Sequence, residues 1–199
     1  MGKFNVYFKW SRIRKRYDAM ADEMGKAYAE AVAQEIRASL RKRKNPTGDN
    51  PSTPGSPPAA ESGHLARTVR LRKYAGRSGK VQYKIEITAP YAKLHEYGGT
   101  VSAKRGKYLT IPLNAEARAL RKQHKSLRSV PDLIYIQPKG KKPMLAKRLS
   151  RDSIQPMFAL RESVYIPPRP FVRPARKAVA RKRKQILAKV QRRFNRRGK

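Results

Sequence analysis

Residues 65–89, LARTVRLRKYAGRSGKVQYKIEITA, decide the fold class. In the first run Val69, Leu71 and Lys73 alternate with Arg70 and Arg72; in the second Val81, Tyr83, Ile85 and Ile87 alternate with polar residues. Side chains two apart share one face of a strand, so 65–74 and 80–89 are predicted as strands with one buried face. AGRSG between them turns the chain, which makes the pair an antiparallel hairpin.

On the N-terminal side the period changes. Ile13, Tyr17, Met20 and Met24, then Tyr28, Val32, Ile36 and Leu40, recur every three or four residues and predict one long amphipathic helix over 11–43. Asp18, Asp22 and Glu23 near its start and RKRK (41–44) at its end suit the helix dipole, and Asn45-Pro46 stops it. The segment NPTGDNPSTPGSPPAAESG (45–63) carries five prolines and three glycines without a periodic apolar residue. Such composition buries too little to fold by itself, so it is expected to be an extended arm that takes its order from a neighbouring subunit.

On the C-terminal side the elements are short. PYAKLHEYGG (90–99) predicts one helical turn ended by glycine, KYLTIPL (107–113) a strand, and NAEARALRKQH (114–124) a helix capped by Asn114. Stretches 132–149 and 157–166 supply up to three more strands. The last element, 172–194, is predicted as a helix whose Val179, Ile186, Val190 and Phe194 form a narrow stripe among Arg and Lys. The fold class expected is α+β: an antiparallel sheet packed by a long N-terminal helix and a C-terminal helix, with a Pro-rich extended arm. Its parts are an N-terminal strand and long helix (1–44), the arm (45–64), a sheet core with short helices (65–171) and a basic helix (172–199), in one domain overall.

Composition narrows the function. The 199 residues hold 49 Lys and Arg against 13 Asp and Glu, a formal net charge of +36. That excess implies a polyanionic partner, nucleic acid first and an acidic protein or membrane surface next. There is no cysteine, and only His64, His95 and His124 are present, too far apart for a metal motif. HEYGG lacks the second His of a zinc-protease helix, and no Gly-rich phosphate loop occurs. No cofactor, no metal and no enzyme activity are expected. No apolar run approaches a membrane span of roughly 20 residues, and the N-terminus lacks a signal-peptide core, so synthesis in the cytosol without membrane association is expected.

The charge concentrates at the C-terminus, where residues 167–199 contain 14 Lys or Arg and no acid. The apolar stripe must dock somewhere, which leaves the other side of the helix to present charge. Only Phe171 and Phe194 are aromatic there, so contact would be to phosphates and not to bases. Ahead of this helix stands YIPPRPFVRP (165–174), in which Pro167, Pro168 and Pro170 fix φ and remove donors. A strand ending at Ile166 cannot continue through them. Pro174 is tolerated only within the first helical turn.

Four stretches in this order resemble the tail-completion and virion-morphogenesis proteins of long-tailed bacteriophages, including the Mu-like morphogenesis family and related neck proteins. They are PGSPPAAESGHLARTV (54–69), PYAKLHEYGG (90–99), KYLTIPLNAEARA (107–119) and FALRESVYIPPRPFVRPA (158–175). The resemblance implies a small structural subunit of the virion that assembles as a ring, most often a hexamer. Such a ring completes the tail and joins it to the head, with tail tube or terminator proteins and the head connector as neighbours. By the same resemblance Pro168, Arg169, Pro170 and Phe171 would anchor the last helix, and Tyr97, Gly98 and Gly99 would shape a turn at a subunit contact. A ring through which the genome passes would meet phage DNA at its backbone. Arg176, Arg181, Lys182, Arg183, Lys184, Arg192 and Arg193 are the residues expected to make those phosphate contacts. The charge alone supports one alternative, a free sequence-nonspecific nucleic-acid-binding protein.

Overall fold

The computed structural model of the protein describes residues 10–45, 52–75, 81–104, 106–123, 126–151 and 153–197. The expected N-terminal strand before residue 10, arm residues 46–51 and most of the hairpin turn (76–80) lie outside these residues. The chain forms two compact units. The first comprises Met1–Lys44, Pro57–Ala92 and Pro170–Lys199, the second Asn45–Ser56 and Lys93–Arg169.

In the first unit helix α1 spans Trp10–Lys42, one residue from the range its periodicity predicts. Val32, Ile36 and Leu40, four apart, lie on its buried side. The hairpin is strands β1 (Val69–Ala75) and β2 (Val81–Ile87), paired antiparallel with Val69 opposite Ile87, Leu71 opposite Ile85 and Lys73 opposite Tyr83. This register gathers the alternating residues on one face, as expected. Residues 65–67 depart from the strand prediction: they belong to a short helix, α2 (His64–Arg67), preceded by Gly63 in the left-handed conformation at φ 69°. Glycine accepts that conformation without the Cβ penalty, so the chain can turn tightly into α2.

The hairpin is tied to α1 at both ends. Arg37 donates from Nη2 to the Val69 carbonyl at 2.7 Å, and Asp22 accepts from the Tyr83 hydroxyl at 2.6 Å and from Lys73 Nζ at 2.9 Å. Bonds to a charged group of this kind contribute about 1.5–3 kcal/mol where they are shielded, and less where solvent reaches them. One buried cluster joins the elements: Val32, Ala33, Ile36 and Leu40 of α1, Ala66, Val69, Ala89 and Ala92, and Phe171, Ala175 and Val179 from the C-terminal segment.

That segment is not the single helix expected. Helix α5 (Val172–Arg181) and helix α6 (Arg183–Arg197) are separated at Lys182, whose backbone (φ −96°, ψ 5°) leaves the helical range. The break lies inside RKRK, where neither Gly nor Pro signals it. Pro174 sits in the first turn of α5, where its missing N–H removes no helical bond.

The second unit contains α3 from Lys93 onward (helix Ala92–Tyr97), β3 (Gly99–Ser102), β4 (Leu109–Pro112), α4 (Ala115–Gln123), a 3-10 turn (Leu127–Ser129), β5 (Leu133–Ile136), β6 (Met144–Arg148), β7 (Ile154–Arg161) and β8 (Ser163–Ile166). Residues 132–166 thus supply four strands, one more than predicted. The expected single sheet is corrected as well. With the β1–β2 hairpin the described residues form three antiparallel sheets: β3 pairs with β8, and a four-stranded sheet runs in the order β4-β7-β6-β5.

Pro156 accounts for an irregularity in that sheet. Proline cannot donate to a ladder, and the β6–β7 register slips where Ala146 faces Pro156 while Leu145 faces Phe158, leaving Met157 as the extra residue of a bulge. Met157 and Phe158 instead bury fully with Ala117 of α4 to form the core of this unit. Asn114 caps α4 as predicted, its Oδ1 accepting from the Ala117 amide at 2.8 Å.

Candidate assembly junction and basic helical surface

The two motifs singled out for assembly, Tyr97-Gly98-Gly99 and the Pro-rich exit of the last strand, meet in the second unit. Helix α3 ends at Tyr97, Gly98 takes φ 73°, and its amide donates back to the Leu94 carbonyl at 2.8 Å, closing the helix with a left-handed glycine. Gly99 then opens β3 opposite Ile166, the last residue of β8.

Gly98 has a second duty. A Cβ built there would lie 2.9 Å from the Ile166 carbonyl oxygen and from Pro168 N and Cδ, so the departing chain passes where a side chain would be. Only glycine fits. The Arg169 amide, the first after the paired prolines, donates to the His95 carbonyl at 2.6 Å. Burial, and then the Arg169 guanidinium nearby, hold the His95 imidazole below its ordinary value.

The Pro-rich arm completes the junction. Arg169 Nε donates to the Ser52 carbonyl at 3.0 Å, and the Gly55 amide donates to the Pro168 carbonyl at 2.9 Å. The arm, expected to lie on a neighbouring subunit, thus also bonds to its own chain at Ser52 and Gly55. In the first unit the same holds for Ala60, whose amide donates to the Arg43 carbonyl at 2.7 Å. The sequence does not point to these contacts of Ser52, Gly55 and His95, because they are made through backbone atoms, which every residue carries. Tyr97 remains 61% exposed beside this junction, and Tyr165 of β8 is 65% exposed.

Pro170 and Phe171 begin the last segment of the first unit. Phe171 is 1% exposed within the α1 cluster, the burial expected of an anchor for the helix that follows. Beyond it the seven cations named for phosphate contact, Arg176, Arg181, Lys182, Arg183, Lys184, Arg192 and Arg193, are all exposed. Val190 is buried and Ile186 packs against the core cluster, so α6 docks one side and presents the other. Arg16 of α1 sits over the Phe194 ring at 5.9 Å from its centroid.

Lys184, Arg192 and Arg193 line one shallow cavity of about 710 Å³ on α6, together with Lys189 and Arg196, which the sequence reading left out. Their spacing of three and four along one helix would have found them. Arg176, Arg181, Lys182 and Arg183 are not among its lining residues.

Residues 11–98 match the family model described as "Bacteriophage HK97-gp10, putative tail-component". That stretch of the chain is similar to a phage tail component. It runs from α1 through the hairpin to Gly98, and it contains the resemblance read from 54–69 and most of that read from 90–99. The stretches 107–119 and 158–175 lie beyond it. No curated protein and no solved structure matches the chain. A tail component is a structural protein of the virion that works against other tail proteins. Among the described residues no helix is long and apolar enough to cross a membrane, and no group of three or more His, Asp or Glu could hold a metal ion.

Proposed function

We propose that the protein completes the phage tail and joins it to the head as a ring, with the exposed cations of α5 and α6 set against packaged DNA. The similarity of residues 11–98 to a phage tail component carries the assembly part of this reading. The subunit is built for contact through surfaces: an exposed Tyr97 beside a turn held by Gly98, and an arm fastened to the strand exit. A hexamer is the stoichiometry this role favours, with tail tube or terminator proteins on one side and the head connector on the other.

Arg176, Arg181, Lys182, Arg183, Lys184, Arg192 and Arg193 are the phosphate contacts in this reading. They follow Glu162, after which residues 163–199 hold no Asp or Glu, so no acidic side chain in this segment competes with phosphate for them. Affinity for duplex DNA should be the same for unrelated sequences and should fall steeply as salt is raised, with a logarithmic slope of about 0.9 for each phosphate engaged.

Two experiments test the reading separately. Phage lacking the protein should yield filled heads and tails that do not join productively; normal infectious particles would overturn the assembly role. Replacing Lys184, Arg192 and Arg193 with Ser should flatten the salt dependence by roughly 2–3 in slope. An unchanged slope would remove DNA from the proposal and leave an acidic protein as the partner of this surface.

A further inference from the structure

The second unit carries a basic groove that the helical surface does not involve. It lies over the β4-β7-β6-β5 sheet beside α4 and the 3-10 turn, encloses about 1010 Å³, and is at the upper end of the range of roughly 300–1,000 Å³ found for small-molecule pockets. Lys107, Arg121, Lys122 and Arg128 line it, and no carboxylate does among the described residues. Arg121 is held in place by a 2.6 Å bond from Nη1 to the Thr110 carbonyl.

Two aromatic rings complete the lining. Tyr108 immediately precedes β4 and Tyr135 lies in β5, the two edge strands of the sheet, yet the Tyr108 phenol is near enough to raise that of Tyr135, second to desolvation. Tyr135 is 53% exposed, with its hydroxyl donating to Gln137 at 2.9 Å. Lys107 Nζ lies 5.4 Å from the Tyr108 ring centroid. Leucines of the sheet and the 3-10 turn form the floor.

We propose that this groove binds single-stranded nucleic acid, with bases against the Tyr135 and Tyr108 rings and the apolar floor, and phosphates against Lys107, Arg121, Lys122 and Arg128. A cationic groove with aromatic faces is the combination that holds unpaired strands without reading sequence. A duplex keeps its bases stacked inside and gives these rings nothing to meet. A peptide strand would seek free backbone donors and acceptors, but β6 and β7 beneath the groove are already paired on both sides. The proposal is independent of the DNA contact assigned to α5 and α6, which uses other residues and a duplex.

The test is fluorescence anisotropy of the full chain with a short labelled oligothymidylate and, separately, with a labelled duplex. Tyr135→Ala should weaken the single strand about fivefold or more and leave the duplex unchanged; Tyr135→Phe, which keeps the ring, should bind as the parent does. Arg128→Ser should flatten the single-strand salt slope by about 0.7. Equal weakening of single strand and duplex, no effect of Tyr135→Ala, or displacement of the oligothymidylate by polyglutamate as readily as by unlabelled oligothymidylate would overturn the proposal. The last result would make the groove a site for acidic protein segments.

Discussion

Replacing Phe171 with Ala tests whether one side chain fastens the basic helices to their unit. Phe171 is 1% exposed and shares a buried cluster with Val32, Ile36, Ala175 and Val179. Returning most of a phenylalanine side chain to water costs about 2–3 kcal/mol. A residual cavity of roughly 50–80 Å³ at about 24 cal/mol per Å³ adds about 1–2 kcal/mol, for a total of about 3–5 kcal/mol. Domain stabilities are typically about 5–15 kcal/mol, so the variant should lose roughly a fifth or more of what holds the first unit folded. Urea unfolding followed by circular dichroism gives the total, and hydrogen exchange locates it. Protection should fall in α1, the β1–β2 hairpin and α5, all of which meet Phe171 or its cluster, while amides of 106–161 keep theirs. Trypsin should cut the variant sooner around Arg176 to Lys184. A loss under about 0.5 kcal/mol, or lost protection confined to the four-stranded sheet, would refute the anchoring role.

At the junction, Gly98→Ala should cost at least about 2 kcal/mol, because a left-handed φ and a collision with the Ile166 and Pro168 backbone both oppose it. Gly55→Ala, at φ 82° but with nothing within 4 Å, should cost only about 1 kcal/mol; equal costs in thermal unfolding would deny the close approach. The Asp22 carboxyl is held below its ordinary value of 3.8, first by the Tyr83 hydroxyl and then by Lys73. The stability of these bonds is therefore present above that value and lost as pH falls through the folded one. Tyr83 behaves oppositely: burial and Asp22 push its phenol up to about 12 from 10.0, so its contribution is present below 10 and lost as pH rises toward 12. Asp22→Asn should remove the acid-side loss and lower the Tyr83 titration, read by tyrosine-resolved NMR, without returning it fully, since burial remains; an unchanged titration would contradict the contact.

What the sequence shows of this fold depends on how local the cause is. The switch from a period of four to a period of two places α1 and β2 within a residue or two, and β1 except for the first four residues predicted for it, because those patterns are imposed by the burial of one face. The Asn114 cap and the glycine stop after α3 are equally local. The misplaced features have causes that a hydrophobic period does not carry. His64–Arg67 carries one apolar pattern compatible with strand or helix, and Gly63 selects the helix by turning the chain just before it. The break at Lys182 has no Gly or Pro to announce it. The division into three sheets follows from which strands find partners across the chain, as when β3 pairs with β8 more than 60 residues later.

The junction shows why its parts were legible and their meeting was not. Tyr97-Gly98-Gly99 and Pro168-Arg169-Pro170-Phe171 each stand out by composition, and each admits a purely local account: a helix stop in one case, the end of a strand in the other. Gly98 answers to both at once, since its left-handed φ closes α3 and its missing Cβ makes room for the Ile166–Pro168 backbone. Pro168 fits this place because its nitrogen has no hydrogen to satisfy at so close an approach, and the next donor, the Arg169 amide, reaches the His95 carbonyl instead. Ser52 and Gly55 then use the remaining groups of the same two residues, the Arg169 side chain and the Pro168 carbonyl. A substitution at Gly98 should therefore disturb the arm as well as the turn, and exchange of the Gly55 amide should quicken in Gly98→Ala even though residues 55 and 98 make no direct contact in this arrangement of bonds.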